Sequence, residues 1–302
     1  AHRPIFKAMW IVIRTCNVAL EKIHMLKNVD EEIINDFKAQ AHFIRAFAHM
    51  ELLRVFGGMP YITKSIGSED PWDYVRLSRH ETLLKIAADC DTAVYFFEKA
   101  GKMRRDPGPG HVGHLSDPLQ ARPNGVTAKA FKSRALLWAA SPWNNKNGNT
   151  DWENAAKASW EAIQTAEQYE YDLLPASQYK DNYIGTTYTN EQLWGWYAGT
   201  FAYNSGARGS LVNGVFANST GGYSGENPTQ NCVDKFETKW GDPLNTEEDR
   251  AAAIALGHYH EQDPYANRDP RFYHDIIYNT APLTGYGEAR IYYEMTPNGV
   301  VW

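Results

Sequence analysis

The side chains best suited to chemistry in this sequence are aromatic rings set among amides. Trp194, Trp196 and Tyr197 alternate along Gln192 to Tyr197, a stretch that reads as a short strand with one face available. Phe201, Tyr203 and Asn204 follow, then Arg208 and Tyr223 in a Gly-rich loop. Trp143-Asn144-Asn145 forms a second group, and Trp72 with Tyr74 a third. A flat ring stacks on the C–H face of a sugar, while Asn, Arg and Tyr groups take its hydroxyls. The residues expected to touch a ligand are therefore Trp194, Trp196, Tyr203, Asn204, Arg208, Tyr223, Trp143 and Asn144. Core packing competes for Trp194, because Trp is highly buried on average. Protein interfaces compete for the others, since they also draw on exposed aromatics.

Metal and catalytic patterns are weaker. His111 and His114 stand three apart, and His258 and His260 two apart. Neither pair brings a third ligand at a familiar zinc spacing. The acidic stretch Asp242 to Asp249 lacks the spaced oxygen ligands of a calcium loop, as does Asn145 to Asn149. No metal and no cofactor is expected. There is no nucleophile elbow, phosphate loop, dinucleotide fingerprint or zinc-protease motif. A pair of carboxylates for glycoside hydrolysis would meet in space rather than in sequence, so an all-helical glycosidase stays open.

Composition narrows the classes. The chain has 302 residues, 30 basic and 36 acidic side chains, and a formal charge of −6. Without a Lys/Arg stripe the electrostatic case for nucleic acid fails. A hydrophobic share of 43% is enough to offset the entropy of ordering, so the chain folds. Cys16, Cys90 and Cys232 form neither a CxxC pair nor a disulfide framework. No apolar run approaches the roughly 18 residues of a membrane span. The aromatic inventory is large, with 10 Trp, 18 Tyr and 12 Phe. The start at Ala1 and the stop at Trp302 read as a piece of a longer protein.

The elements that must position these rings are helices in the first half. Phe6, Met9, Ile13, Asn17, Leu20 and His24 recur at helical steps, as do Ile33, Phe37, Ala41, Ile44, Ala48, Leu52 and Val55. Asp30 predicts the start of the second helix, and Gly57-Gly58 with Pro60 its stop. Ser78 and Glu81 form a capping-box pattern for a third helix ending at Gly101. A fourth is expected over about Thr127 to Ala140, a fifth from near Asp151, and a short one over Glu247 to Leu256. The Pro/Gly stretch from Asp106 to Pro123 cannot be helical. Paired helices suggest a solenoid, although no period of about 34 residues survives inspection. From about Tyr169, Pro, Gly, Asn and Tyr dominate and helical periodicity fades. Arg45 and Arg54 lie mid-helix and are expected to pair with carboxylates or carbonyls. Arg268, Asp269 and Arg271 read as a buried ion-pair cluster pinning the loop region to the helices.

Several stretches together resemble one family. Ala41-His42-Phe43-Ile44-Arg45-Ala46-Phe47, running through Leu52-Leu53-Arg54-Val55-Phe56 to Gly57-Gly58-Met59-Pro60, is similar to the signature helix of SusD/RagB-like proteins. Arg76-Leu77-Ser78 with Glu81, Ile86, Asp89 and Ala93 resembles the next helix of that family. Asn124-Gly125-Val126-Thr127 through Leu136-Leu137 and Ser141-Pro142 resembles the one after, and Trp152, Ala155-Ala156 and Ile163 the fifth. Pro228-Thr229-Gln230-Asn231, Val233-Asp234, Phe236 and Arg268-Asp269-Pro270-Arg271 resemble its later loop region.

The resemblance implies a mainly α fold, a tetratricopeptide-type scaffold of helical pairs with a large irregular loop region. It implies one domain truncated at both ends, with residues 1–168 as scaffold and 169–302 as the irregular ligand-binding part. It also implies a glycan-binding lipoprotein on the outward face of the outer membrane. Such a protein captures oligosaccharides or polysaccharides for a SusC-like TonB-dependent transporter and carries out no catalysis. The lipid-bearing Cys of the family has no counterpart here, because Cys16 sits mid-helix as a core residue. The membrane anchor is thus expected outside this chain, and a final helical pair beyond Trp302. A peptide-binding relative or helical-repeat adaptor is the alternative, and would show an apolar groove instead of separate aromatic platforms.

Overall fold

A computed structural model describes residues 3–105, 121–184, 188–195, 227–283, 287–289, 294–296 and 299–301. Five long helices come first: α1 (Arg3–Lys22), α2 (Glu31–Phe56), α3 (Arg79–Lys99), α4 (Gly125–Ala140) and α5 (Asn149–Gln168). Short elements follow: α6 (Asp181–Ile184), α7 (Gln230–Val233), α8 (Glu247–Ala255) and α9 (Phe272–Asp275). Two antiparallel ladders pair β1 (Pro282–Leu283) with β2 (Gly287–Glu288), and β3 (Glu294–Thr296) with β4 (Gly299–Val301). The chain gathers into two compact units, residues 1–173 with 185–197, and 174–184 with 198–302.

In the first unit each long helix packs on the next in sequence. Contacts fix the directions. Phe6 meets Phe56, Trp10 meets His49, and Asn17 meets Arg45, so α1 and α2 run antiparallel. Lys38 lies over the Phe96 ring while Arg45 reaches Asp89, so α2 and α3 do too. This is the expected stack of helical pairs. Its core holds Phe43, Leu52, Leu53, Leu83, Ile86, Phe97 and Val126, all fully buried. Alanines at 46, 93, 135 and 139 let the helix axes approach, and each large side chain removed from water contributes roughly 1.5–3 kcal/mol.

The caps follow the sequence. Ser78 and Glu81 form both bonds of the capping box, and the Asn124 side chain accepts from Thr127 N–H to start α4. Helix α2 ends at Gly57, whose φ of 81° a residue with a side chain adopts at a cost. The Arg76 guanidinium then donates to the Phe56 and Gly58 carbonyls left open by that stop. A Cβ on Gly58 would collide with the Leu77 carbonyl, so the chain can turn beneath α3 only with glycine there.

A buried polar network ties α1, α2 and α3 together. Asp89 accepts from Arg45 Nε at 2.7 Å and Nη2 at 2.6 Å, and from the Tyr61 hydroxyl at 2.7 Å. His42 Nδ1 lies 2.8 Å from the same carboxylate. Arg45 Nη1 donates to Asn17 Oδ1, and the Asn17 amide donates onward to the Ile62 and Lys64 carbonyls. Burial opposes ionisation of Asp89, but hydrogen bonds from Arg45 and His42 outweigh it and hold the pKa at about 2. His49, fully buried, accepts from Ile62 N–H through Nε2 and so donates through Nδ1 to the Arg45 carbonyl. Arg54, by contrast, is half exposed and pairs with Glu51.

Three expectations need correction. Residues 188–195 form no strand, so the alternation of Trp194 and its neighbours is not strand geometry there. Helix α5 begins at Asn149, because Gly148 turns the chain at a φ of 62° and Asp151 already lies in the first turn. Arg268, Asp269 and Arg271 are not one buried ion cluster. Arg268 is buried and donates to the Val233, Phe236 and Pro264 carbonyls, within its own unit. Asp269 pairs instead with Arg271, whose side chain is exposed. Around Arg268 the second unit packs Phe236, Tyr265, Phe272 and Tyr278 ring against ring.

Candidate functional site

The expected ligand residues separate by environment. Trp194 packs edge-on against Phe43 and Phe47 and donates its indole N–H to the Ala121 carbonyl at 2.8 Å. Its ring and its donor are both engaged in the core of the first unit. Trp196, Tyr203, Asn204, Arg208 and Tyr223 lie outside the described residues, as do Tyr197, Phe201, His111 and His114.

Trp143 and Asn144 sit in the connection between α4 and α5, and the two play opposite parts. Trp143 is 83% exposed. Asn144 is buried, and its amide donates to the Trp138 carbonyl at 2.9 Å and the Ser141 hydroxyl at 3.2 Å. Asn144 therefore secures the loop and has no amide donor left for a ligand. Asn145 does similar work, donating to the Ala140 and Gly148 carbonyls and accepting from Gly148 N–H. Asp151 closes the far side, accepting from Lys146 and Asn147 N–H, the Asn147 amide and His80 Nε2. Burial works against the Asp151 charge, but the N–H donors of Lys146 and Asn147 outweigh it and hold its carboxyl below the usual range. The sequence thus folds the loop into a knot of amides anchored to α3 through His80, with the indole carried outward. Exposed Asn147, Asn149 and Thr150 flank it with hydrogen-bonding groups.

Two other exposed groups were less legible. In the second unit Tyr179 and Tyr183 stand 5.4 Å apart between ring centroids, with Tyr183 66% exposed. The Tyr179 hydroxyl donates to Asp275 at 3.3 Å, and its ring lies beside His274. The only sequence signal was the i, i+4 spacing of the two tyrosines in a stretch with no other periodicity. Trp240 stacks on His258 at 4.0 Å, and His258 Nδ1 in turn lies 2.8 Å from Asp242. Among the described residues no group of three or more His, Cys, Asp or Glu is placed to hold a metal.

Trp72 has a different setting. It closes an apolar recess of about 440 Å³ with Phe6, Trp10, Ile11 and Ile66, edged by Lys7, Arg14 and Lys64. Tyr74 beside it packs on the core.

The first unit is thus a helical-pair scaffold that presents an exposed indole, Trp143, from the connection between α4 and α5. No helix among the described residues is long and apolar enough to cross a membrane. Comparison with known proteins points to one family. The SusD-like family described as starch-binding and associating with the outer membrane matches residues 3–101. A SusD-like protein P2 of Formosa agariphila is 33% identical over 85 residues, 28% of this chain and 17% of that protein. A SusD-like protein of Bacteroides fragilis superposes with a TM-score of 0.68 at 22% identity, covering 98% of this chain and 54% of the other. A SusD-like carbohydrate-binding protein of the same species superposes at 0.63 with 21% identity, covering 97% and 48%. Residues 3–101 thus match the SusD-like family, and the chain shares the fold of these two SusD-like structures while spanning about half their length.

Proposed function

We propose that this chain is the ligand-capturing part of a cell-surface glycan-binding protein. It holds an oligosaccharide or polysaccharide at the outer membrane for a SusC-like TonB-dependent transporter, and carries out no chemistry on it. Attachment through a lipid on a segment outside this chain belongs to the same reading. The family description, starch-binding and associated with the outer membrane, supports it. So does the carbohydrate-binding name of one similar structure.

The observation that carries the reading is the Trp143 loop. An indole 83% exposed on a loop held by side-chain amides is a preformed platform. It costs little entropy to use, because the ring is rigid and its loop is already ordered. A shallow platform of this kind gives roughly −4 to −8 kcal/mol, millimolar to micromolar affinity. The test is calorimetric titration against a panel of soluble polysaccharides, with reducing ends assayed in the same samples. Saturable binding without hydrolysis, weakened by Trp143→Ala, is expected. Hydrolysis would overturn the reading in favour of a glycosidase.

A second reading has its own observation. The recess closed by Trp72 is lined by apolar side chains, which suits a peptide segment better than a sugar. Binding of apolar peptides with none of the polysaccharides would favour it.

A further inference from the structure

At the N-terminal end of α4 a small recess of about 110 Å³ is lined by Asp36, Gln40, Lys102, Arg104, Arg105, Arg122, Pro123 and Asn124. Four cations face one carboxylate there, in a chain whose net charge is −6. Asp36 balances one of them. It lies 3.7 Å from Arg122, and its Oδ1 already accepts from the Gln40 amide. Arg104 pairs with Glu170, which is 69% exposed at its side chain. Arg105 is 3% exposed and meets only neutral partners among the described residues. Its guanidinium donates to the Gln192 and Thr189 carbonyls and lies 4.6 Å over the Tyr188 ring and 5.9 Å over Tyr171. Those contacts fix the charge in place without neutralising it. The Asn124 cap puts the first turn of α4 at the same recess, and the positive end of the helix dipole adds to the field.

From this geometry we infer that the recess binds one anionic group, a carboxylate or a sulfate ester, and that the glycan this protein captures is acidic. The volume supports a single charged group, since whole small-molecule sites measure roughly 300–1,000 Å³. Guanidinium groups match both anions, with paired N–H donors in a plane. The recess and Trp143 lie at opposite ends of α4, about 24 Å apart along a 16-residue helix. The two sites can therefore be tested separately. The acidic carrier rests on the glycan reading; anion binding by the recess does not.

The probes are inorganic sulfate and D-glucuronate, with D-glucose as the uncharged counterpart, followed by ligand-observed NMR and thermal shift. Sulfate, glucuronate or both should bind saturably and raise the melting temperature, and glucose should not. Which anion binds more tightly distinguishes a sulfated from a uronic carrier. Arg104→Gln with Arg122→Gln removes two half-exposed cations without touching the core, and should weaken the anion about tenfold or more, the worth of a charge-assisted hydrogen bond. Glu170→Gln removes the carboxylate competing for Arg104 and should strengthen it. Lys157→Gln, at an exposed cation of α5 that pairs with Glu161 outside the recess, should change nothing. Absence of anion binding, equal binding of glucose, or an equal loss in Lys157→Gln would overturn the inference. Loss of anion binding with polysaccharide binding at Trp143 intact would leave the capture reading standing. Anion binding without binding of any polysaccharide would support the recess and count against capture.

Discussion

Acid should loosen this fold through one histidine. His49 is fully buried between Trp10 and Tyr61, and its ring nitrogens meet the Arg45 carbonyl and the Ile62 N–H. Burial depresses its pKa from 6.5 to about 4, against the smaller upward pull of its bond to the Arg45 carbonyl. The unfolded chain therefore binds a proton in a range where the folded chain does not. Its contribution to stability is complete above the unfolded pKa and is lost as pH falls from there toward the folded one. The full effect is roughly 3 kcal/mol, and about 2 kcal/mol is already gone near pH 5. Urea unfolding between about pH 8 and pH 5 reads this, with His49→Gln as the reference. Gln is uncharged throughout, so the wild-type stability should fall by about 2 kcal/mol more than the variant's over that range. Parallel curves, or a variant that is the more acid-sensitive, would refute the assignment of a neutral buried imidazole.

Other substitutions test the remaining contacts. Asp89→Asn keeps the shape but leaves the buried Arg45 guanidinium without its counter-charge, and should cost about 3–5 kcal/mol in chemical denaturation. Gly58→Ala forces a Cβ against the Leu77 carbonyl, and should cost about 1–3 kcal/mol and lower the melting temperature. Trp143→Ala should leave stability within about 0.5 kcal/mol, because the ring is 83% exposed, so any loss of polysaccharide binding in calorimetry reports contact and not unfolding.

What was legible in the sequence was whatever has a period or a fixed local offset. The capping box at Ser78 and Glu81 and the stop at Gly57 are written in near neighbours and stand where the spacing puts them, whereas in α2 Ile33 and Phe37 of the expected apolar face are exposed and Phe43, Met50 and Leu53 off it are buried. The Arg45 pairing was legible only in kind. Its partner Asp89 is 44 residues away on another helix, so no local spacing pairs the two. The ring-bearing loops were harder, because exposure of a Trp is decided by tertiary packing. Trp194 and Trp143 both lie outside the helices and strands, yet one is wedged against Phe43 and the other stands in solvent. Asn144 illustrates the same limit: beside an exposed indole it reads as a ligand donor, and only the positions of Trp138 and Ser141 show that its N–H donors are engaged.

The contrast between Asn144 and Trp143 also explains how such a scaffold can change ligand without losing its fold. The polar groups that hold the α4–α5 connection, Asn144, Asn145 and Asp151, satisfy backbone groups that would otherwise be left open at two helix ends. Replacing any of them uncovers those groups and costs stability. Trp143 is 83% exposed, so its replacement should cost the fold little. The same division holds at the basic recess, where Arg105 is fixed by carbonyls and rings while Arg104 and Arg122 remain half exposed. In both places an inner residue sets the geometry and an outer one is left exposed. Substitutions of outer residues should therefore alter which ligand binds, and substitutions of inner residues should lower stability before they alter specificity.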